Sequence, residues 1–170
     1  MAMHKMTYDS PLGRILLAAD DTGLTGLWFE EQKYYAAGLG DNEDEEEASA
    51  MRDAVRWLDL YFSGERPDFT PELHLTGTPF RRRVWQILLS IPYGSTMTYG
   101  EIAAELSGST AARAVGGAVG HNPVSIIVPC HRVLGSGGSL TGYAGGTWRK
   151  QRLLEIEGVL SERKLNEEMQ

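Results

Sequence analysis

The chain has 170 residues, 42% of them apolar, a formal net charge of −7 and a single cysteine. That length and composition suffice for one good core, or a small and a medium one, and they exclude a disordered chain and a membrane-spanning one, since no stretch approaches bilayer length. One cysteine excludes an intramolecular disulfide framework and a cysteine-rich zinc site, which leaves packing or thiol chemistry as the use of Cys130. The opening stretch MAMHKMTYDS has neither an apolar run nor a small-residue cleavage site, so a cytoplasmic protein is expected.

The charge is unevenly spread. Residues 1–78 carry 6 Lys/Arg against 16 Asp/Glu, whereas residues 79–153 carry 8 against 2. A basic middle in an acidic chain suits a region that meets a polyanion; the alternative is a chance clustering of solvated charges.

In chain order, KMTYDSPLGRILLAADDTGLTGLWFE holds three β-rich runs separated by SPLG and DDTG, whose Gly, Pro and Asp suit tight turns. A small antiparallel sheet is predicted. The acidic run DNEDEEE at 41–47 is expected to be a solvated loop without a function of its own, leading into a helix over 46–62. Met51, Val55, Leu58 and Phe62 recur there at helical spacing, so that helix should cover one face of the sheet.

Composition changes near residue 75, which divides an α+β domain, 1–75, from a mainly helical domain, 76–170. Thr78-Pro79 reads as an N-cap and first helical residue, with Phe80, Val84, Ile87, Leu88 and Ile91 on a buried face. Thr98 and Glu101 have the spacing of a capping box ahead of a short helix to Leu106. SGST breaks that helix, and Thr110 can cap the next, AARAVGGAVG, an order that predicts a helix-turn-helix.

Each of the three glycines in AARAVGGAVG costs about 1 kcal/mol relative to alanine in a helix interior, so something must favour them. Arg113, Gly116, Gly117 and Gly120 fall on one face that is nearly bare of side chains. Either this face packs tightly on a neighbouring helix, or its lone arginine meets phosphate or inserts between stacked bases.

In VPCHRV, His131 and Arg132 are candidates to stabilise a Cys130 thiolate, although an extended segment would point Cys130 and His131 to opposite faces unless the chain bends. Downstream, GGTWRKQRLLEIEGV predicts a helix to Gly158 with Glu157 on its apolar face. A buried carboxylate needs a partner: either His131, giving a Cys130–His131–Glu157 relay, or a capping salt bridge with Arg149 or Lys150.

RAVGGAVGHNPVSIIVPCHRV, followed by TGYAGG and LLEIEG, resembles the O6-alkylguanine-DNA alkyltransferases over about residues 79–158, while the N-terminal part fits that family's small sheet-and-helix domain only loosely. The resemblance implies a monomeric repair protein that needs no metal or other cofactor. It would bind double-stranded DNA containing O6-alkylguanine from the minor groove, through the helix-turn-helix with Gly116 and Gly117 at the contact, and flip the damaged base into a pocket. Cys130 would accept the alkyl group, His131 would act through a water as the base, and Glu157 would complete the relay. Asn122 would bridge the recognition helix to the active-site loop, and Arg113 would fill the vacated stack. Tyr99 would donate to the guanine or help rotate its phosphate, Tyr143 would line the pocket, and the backbone carbonyls of Cys130 and Val133 would recognise the guanine amine. Ala144 stands where some members carry a serine, leaving a backbone N–H to serve there. Displacement at an sp³ carbon by a thiolate gives a thioether that this site cannot hydrolyse, so one turnover per molecule is expected. A cysteine hydrolase, a helix-turn-helix regulator and a non-catalytic sensor of alkylated DNA are the competing classes.

Overall fold

Strands β1 (His4–Ser10), β2 (Gly13–Ala19) and β3 (Leu24–Phe29) form an antiparallel sheet in the order β1-β2-β3. The structure, a computed structural model, describes residues 3–32, 34–36, 49–106, 112–140 and 142–159. The β1–β2 turn closes through Ser10, whose hydroxyl donates to the Gly13 carbonyl at 2.6 Å and accepts from the Leu12 N–H. At the β2–β3 turn the Asp20 carboxylate accepts the N–H groups of Thr22 and Gly23. Alternation sends Ile15, Leu17 and Ala19 into the core, while Leu16 and Ala18 form a small outer cluster with Trp28. Gly26 makes room for that indole, because a Cβ there would lie 2.0 Å from it.

Helix α1 (Ser49–Phe62) packs on the inner face of the sheet, as expected, but its buried stripe is Ala50, Met51, Ala54, Trp57, Leu58 and Tyr61. The expected Val55 and Phe62 are only half-buried. The stripe is turned toward the stacked Trp57 and Tyr61 rings, 5.1 Å apart, because two large aromatic surfaces outweigh one valine and one phenylalanine at its edge.

Helix α2 (Pro79–Leu89) starts where the sequence places it, with the Thr78 hydroxyl accepting the Arg81 N–H at 3.1 Å. It buries Val84, Trp85 and Leu88, and leaves Phe80 and Ile87 half-buried. Helix α3 (Tyr99–Glu105) opens with the full capping box: the Thr98 hydroxyl accepts the Glu101 N–H, and the Glu101 carboxylate accepts the Thr98 N–H. Helix α4 (Ala112–Gly120) follows and packs on α2 and α3, completing the helix-turn-helix pair; the turn with Thr110, like the acidic run and residues 46–48, lies outside the described residues. Trp85 Nε1 donates to the Ala118 carbonyl at 2.8 Å and fixes α4 against α2. Two short strands that the sequence does not announce, β4 (Met97–Thr98) and β5 (Val133–Leu134), pair in parallel and join the start of α3 to the segment after Cys130. The last described helix, α5 (Thr147–Ile156), stops one residue before Glu157, which is its C-cap, and Gly158 exits at φ 77°.

One apolar core runs through all of this, from Ile15 and Leu27 in the sheet to Val115 and Leu153 in the later helices. Among the described residues no helix is long and apolar enough to cross a membrane.

Candidate active site

The segment carrying Cys130 is held by Asn122. Its Nδ2 donates to the Val128 carbonyl at 2.8 Å and its Oδ1 accepts the Val124 N–H at 3.0 Å, so one side chain fastens the end of α4 to the loop ahead of the cysteine. Within that loop Ile126 has φ 71°, a conformation that a β-branched residue adopts only when its surroundings impose it. Pro129 then leads into a single 3₁₀ turn, Cys130–Arg132, closed by the Val133 N–H on the Cys130 carbonyl. This is the bend that an extended VPCHRV lacks, and it separates the directions of its three polar side chains.

His131 is fully buried and its Nε2 lies 2.5 Å from Glu157 Oε2. Glu157 therefore occupies the apolar face expected of it and pairs with His131 rather than with Arg149 or Lys150, which donate to backbone carbonyls of Leu12, Gly145 and Gly142. Three more donors converge on the carboxylate: the Tyr61 hydroxyl at 2.7 Å, Arg132 Nε at 2.8 Å and the Gly94 N–H at 2.9 Å. Although burial alone would raise it, hydrogen bonds and charge from His131 and Arg132 hold Glu157 down at about 2. An ionised carboxylate only accepts, so His131 Nε2 must carry a hydrogen, and in the neutral ring Nδ1 is left with a lone pair. Burial pushes His131 down, against the pull of Glu157, which favours that neutral ring. His131 Nδ1 is buried and has no hydrogen-bond partner among the described residues, so it can take up a proton.

Cys130 is buried, and burial pushes its thiol up, while the Asn122 side chain and the Lys150 charge pull it down. The cation serving the sulfur is thus Lys150. Arg132, the candidate by adjacency, is instead committed to Glu157 and to the Ile91 carbonyl at 2.7 Å, over the Tyr93 ring. Lys150 is itself fully buried and burial brings it down to about 8. Neither role is announced by the sequence: Lys150 is there only an alternative partner for Glu157 and not a cation beside the sulfur, and Tyr61 meets Glu157 across 96 positions of chain.

A cavity of about 310 Å³ opens onto Cys130, and Tyr143, which the resemblance implied would line a base pocket, lines it together with Tyr99, Gly116, Gly117 and Ala144. Burial raises the phenols of Tyr99 and Tyr143 above the usual range, so both stay protonated. Arg113 lies beyond Tyr99 and Gly116 in an adjoining depression. Val133 does not line the cavity; it is buried in β5. A Cβ at Gly117 or Gly120 would meet nothing within 4 Å, and one at Gly116 would only touch Tyr99 at 3.9 Å. The thin face of α4 is therefore open rather than packed on a neighbouring helix, while Val115, Ala118 and Val119 supply the packed side.

A thiol in a cavity, backed by imidazole and carboxylate and set beside an open helix-turn-helix face, defines a class of protein that presents a cysteine nucleophile to an electrophile carried on nucleic acid. Comparison with known proteins agrees. Residues 3–75 match the ribonuclease-like domain, and residues 79–159 the DNA binding domain, of 6-O-methylguanine DNA methyltransferase. The methylated-DNA–protein-cysteine methyltransferase of Mycobacterium tuberculosis is 50% identical over 91% of this chain and 92% of its own length. That of Methanosarcina acetivorans is 46% identical over 92% of this chain and 99% of its own. The structure of Mycobacterium tuberculosis OGT in complex with DNA superposes with a TM-score of 0.80, at 49% identity, covering 91% of this chain and 92% of that one. The chain belongs to the 6-O-methylguanine DNA methyltransferase family. Its activity is DNA repair by transfer of a methyl group from methylated DNA to its own cysteine, and Cys130 is the one cysteine in the sequence.

Proposed function

We propose that the protein binds double-stranded DNA containing O6-alkylguanine, flips that base into the Cys130 cavity and takes its alkyl group in a single turnover. The observation that carries this reading is the tautomer imposed on His131: an ionised Glu157 fixes hydrogen on Nε2 and leaves Nδ1 as the base.

In the resting protein the thiol is protonated and His131 is neutral. The Cys130 proton passes to His131 Nδ1 through a water, and the resulting imidazolium is balanced by Glu157. The sulfur lone pair attacks the alkyl carbon, the C–O6 bond breaks with its electrons going to O6, and the guanine ring accepts a proton. Lys150 stabilises the thiolate meanwhile. The products are a thioether and ordinary guanine, with the thiol proton transferred in balance to the base. A thioether offers no activated carbonyl and no ionisable leaving group, which makes the step irreversible here.

The other roles follow the placements above. Asn122 positions the loop and the sulfur, and Tyr99 and Tyr143 are protonated donors beside the base. Ala144 contributes its backbone, and Gly116 and Gly117 let α4 approach the minor groove while Arg113 fills the stack behind it. The Cys130 carbonyl already accepts one N–H in the 3₁₀ turn and keeps one lone pair for the guanine amine. We place the boundary between two domains at about residue 75, with the protein acting as a monomer in the cytoplasm, where thiols stay reduced.

The test is intact mass spectrometry after incubation with a duplex oligonucleotide containing O6-methylguanine. One methyl group per molecule, located on Cys130 and abolished in Cys130→Ala, is expected. An unchanged mass in folded protein refutes alkyl transfer, and repeated turnover on an ester would point to a hydrolase.

A further inference from the structure

Among the described residues, all but one of those lining the Cys130 cavity come from the chain after Thr98; the exception is Tyr34, from the segment following β3. Its ring stacks on His121, with centroids 4.0 Å apart and planes inclined by 24°. His121 follows the last residue of α4, and its Nδ1–H donates to the Gly117 carbonyl at 2.7 Å, which fixes the imidazole against the helix end. Both rings line the cavity, and neither takes part in the thiol relay.

The segment bearing Tyr34 is anchored on both sides. Gln32 is buried, and its side-chain carbonyl accepts the Phe29 N–H at 2.9 Å and the Ser125 hydroxyl at 3.3 Å, so it joins this segment to the loop ahead of Cys130. Tyr35 meets Trp28 edge-on at 6.5 Å, and Ala36 packs on the outer cluster of Leu16, Ala18 and Trp28. Tyr34 and Ala36 have φ of 62° and 54°, a region unfavourable for L side chains that persists only when neighbouring contacts impose it. The backbone is thus held so that the Tyr34 ring lies over His121 at the cavity, although the residue as a whole is 42% exposed.

We propose that the Tyr34–His121 stack is the outer wall of the acceptor cavity and sets the largest O6 substituent the protein accepts. This rests on the alkyl-transfer reading above and adds to it a residue of the N-terminal part as the determinant of substrate size. A methyl group needs no room beyond the sulfur, whereas a flat benzyl group must extend past it, toward whatever closes the cavity. Removing a ring from the wall should favour the larger substituent selectively, since pocket discrimination between apolar groups comes from differences in fit.

The experiment measures single-turnover transfer from two duplexes of one sequence, carrying O6-methylguanine or O6-benzylguanine. Tyr34→Gly removes the ring and suits the positive φ, so the variant keeps the fold. Its benzyl-to-methyl rate ratio should rise about tenfold over the wild type, His121→Ala should move it the same way, and Tyr34→Phe, which keeps the stack, should hold it within about twofold. A ratio unchanged or lowered in Tyr34→Gly overturns the wall, the lowered ratio showing that Tyr34 holds the benzyl group instead. Absence of transfer by the wild type from either duplex would overturn the alkyl-transfer reading itself, and the wall with it.

Discussion

The Tyr61 hydroxyl, on a helix that follows the sheet, donates at 2.7 Å to the same Glu157 oxygen that His131 Nε2 approaches, and it lies 3.4 Å from Nε2. The His131–Glu157 pair is therefore completed from the N-terminal part of the chain. Tyr61→Phe removes one of four donors from a buried carboxylate and keeps the ring packed on Trp57. A hydrogen bond to a charged group contributes about 2 kcal/mol, so the urea midpoint should fall accordingly. Methyl transfer should slow as well, because the imidazole loses part of what orients it. Unaltered transfer with the expected loss of stability would make Tyr61 purely structural.

Acid should loosen the protein in two stages. Glu157 is held at about 2 against an ordinary 4.5, so its contribution is complete above about 4.5 and is lost as pH falls toward 2. His131 is pushed below its ordinary 6.5, so the unfolded chain takes up the proton first and stability already declines as pH drops through 6.5. Glu157→Gln should flatten the lower stage. At neutral pH it should cost about 3–5 kcal/mol, since Arg132 is then buried without its counter-charge. Urea midpoints from pH 7 to pH 3, for the wild type and this variant, check both stages.

What the sequence discloses and what it hides divide along contact distance. The Thr78 cap and the Thr98–Glu101 capping box were legible because each hydrogen bond joins residues three apart. Glu157 was legible for a different reason: a carboxylate on an apolar face is a local anomaly that demands a partner. The alkyltransferase resemblance supplied the cavity residues Tyr99, Tyr143 and Ala144, which no spacing would assemble. Tyr61 was hidden because its hydroxyl serves a residue 96 positions away, while its ring alone looks like helix packing. Arg132 misleads by adjacency to Cys130, because the 3₁₀ turn sends it to Glu157 and leaves the sulfur to Lys150.

Lys150 sits in that position with no hydrophobic reason to be buried. Replacing its ammonium by the isosteric apolar chain of Lys150→Met should shift the Cys130 thiol upward, since burial would then act with less opposition. Carbamidomethylation by iodoacetamide at neutral pH should slow by about an order of magnitude, as expected for loss of a nearby opposite charge. Lys150 should be neutralised as pH passes about 8, so the wild-type rate should climb less steeply above that pH than a free thiol's. Equal rates for both proteins across the profile would remove Lys150 from the account of thiol activation.

Gly117 separates folding from DNA binding. It is exposed, lies in regular α4, and a Cβ on it would meet nothing within 4 Å. Gly117→Leu should therefore stabilise the protein by about 0.5–1 kcal/mol through helix propensity alone. The same side chain would stand on the face that we propose enters a minor groove, so affinity for duplex DNA and transfer from it should both drop. Transfer from free O6-benzylguanine requires no duplex but does use the cavity, which Gly117 also lines, so it should decline less than transfer from duplex DNA. Arg113→Ala should show the same division between duplex and free base, since Arg113 lies in the depression adjoining the cavity. If Gly117→Leu bound duplex DNA as well as the wild type did, the thin face of α4 would have no part in docking, and its glycines would lack a physical reason.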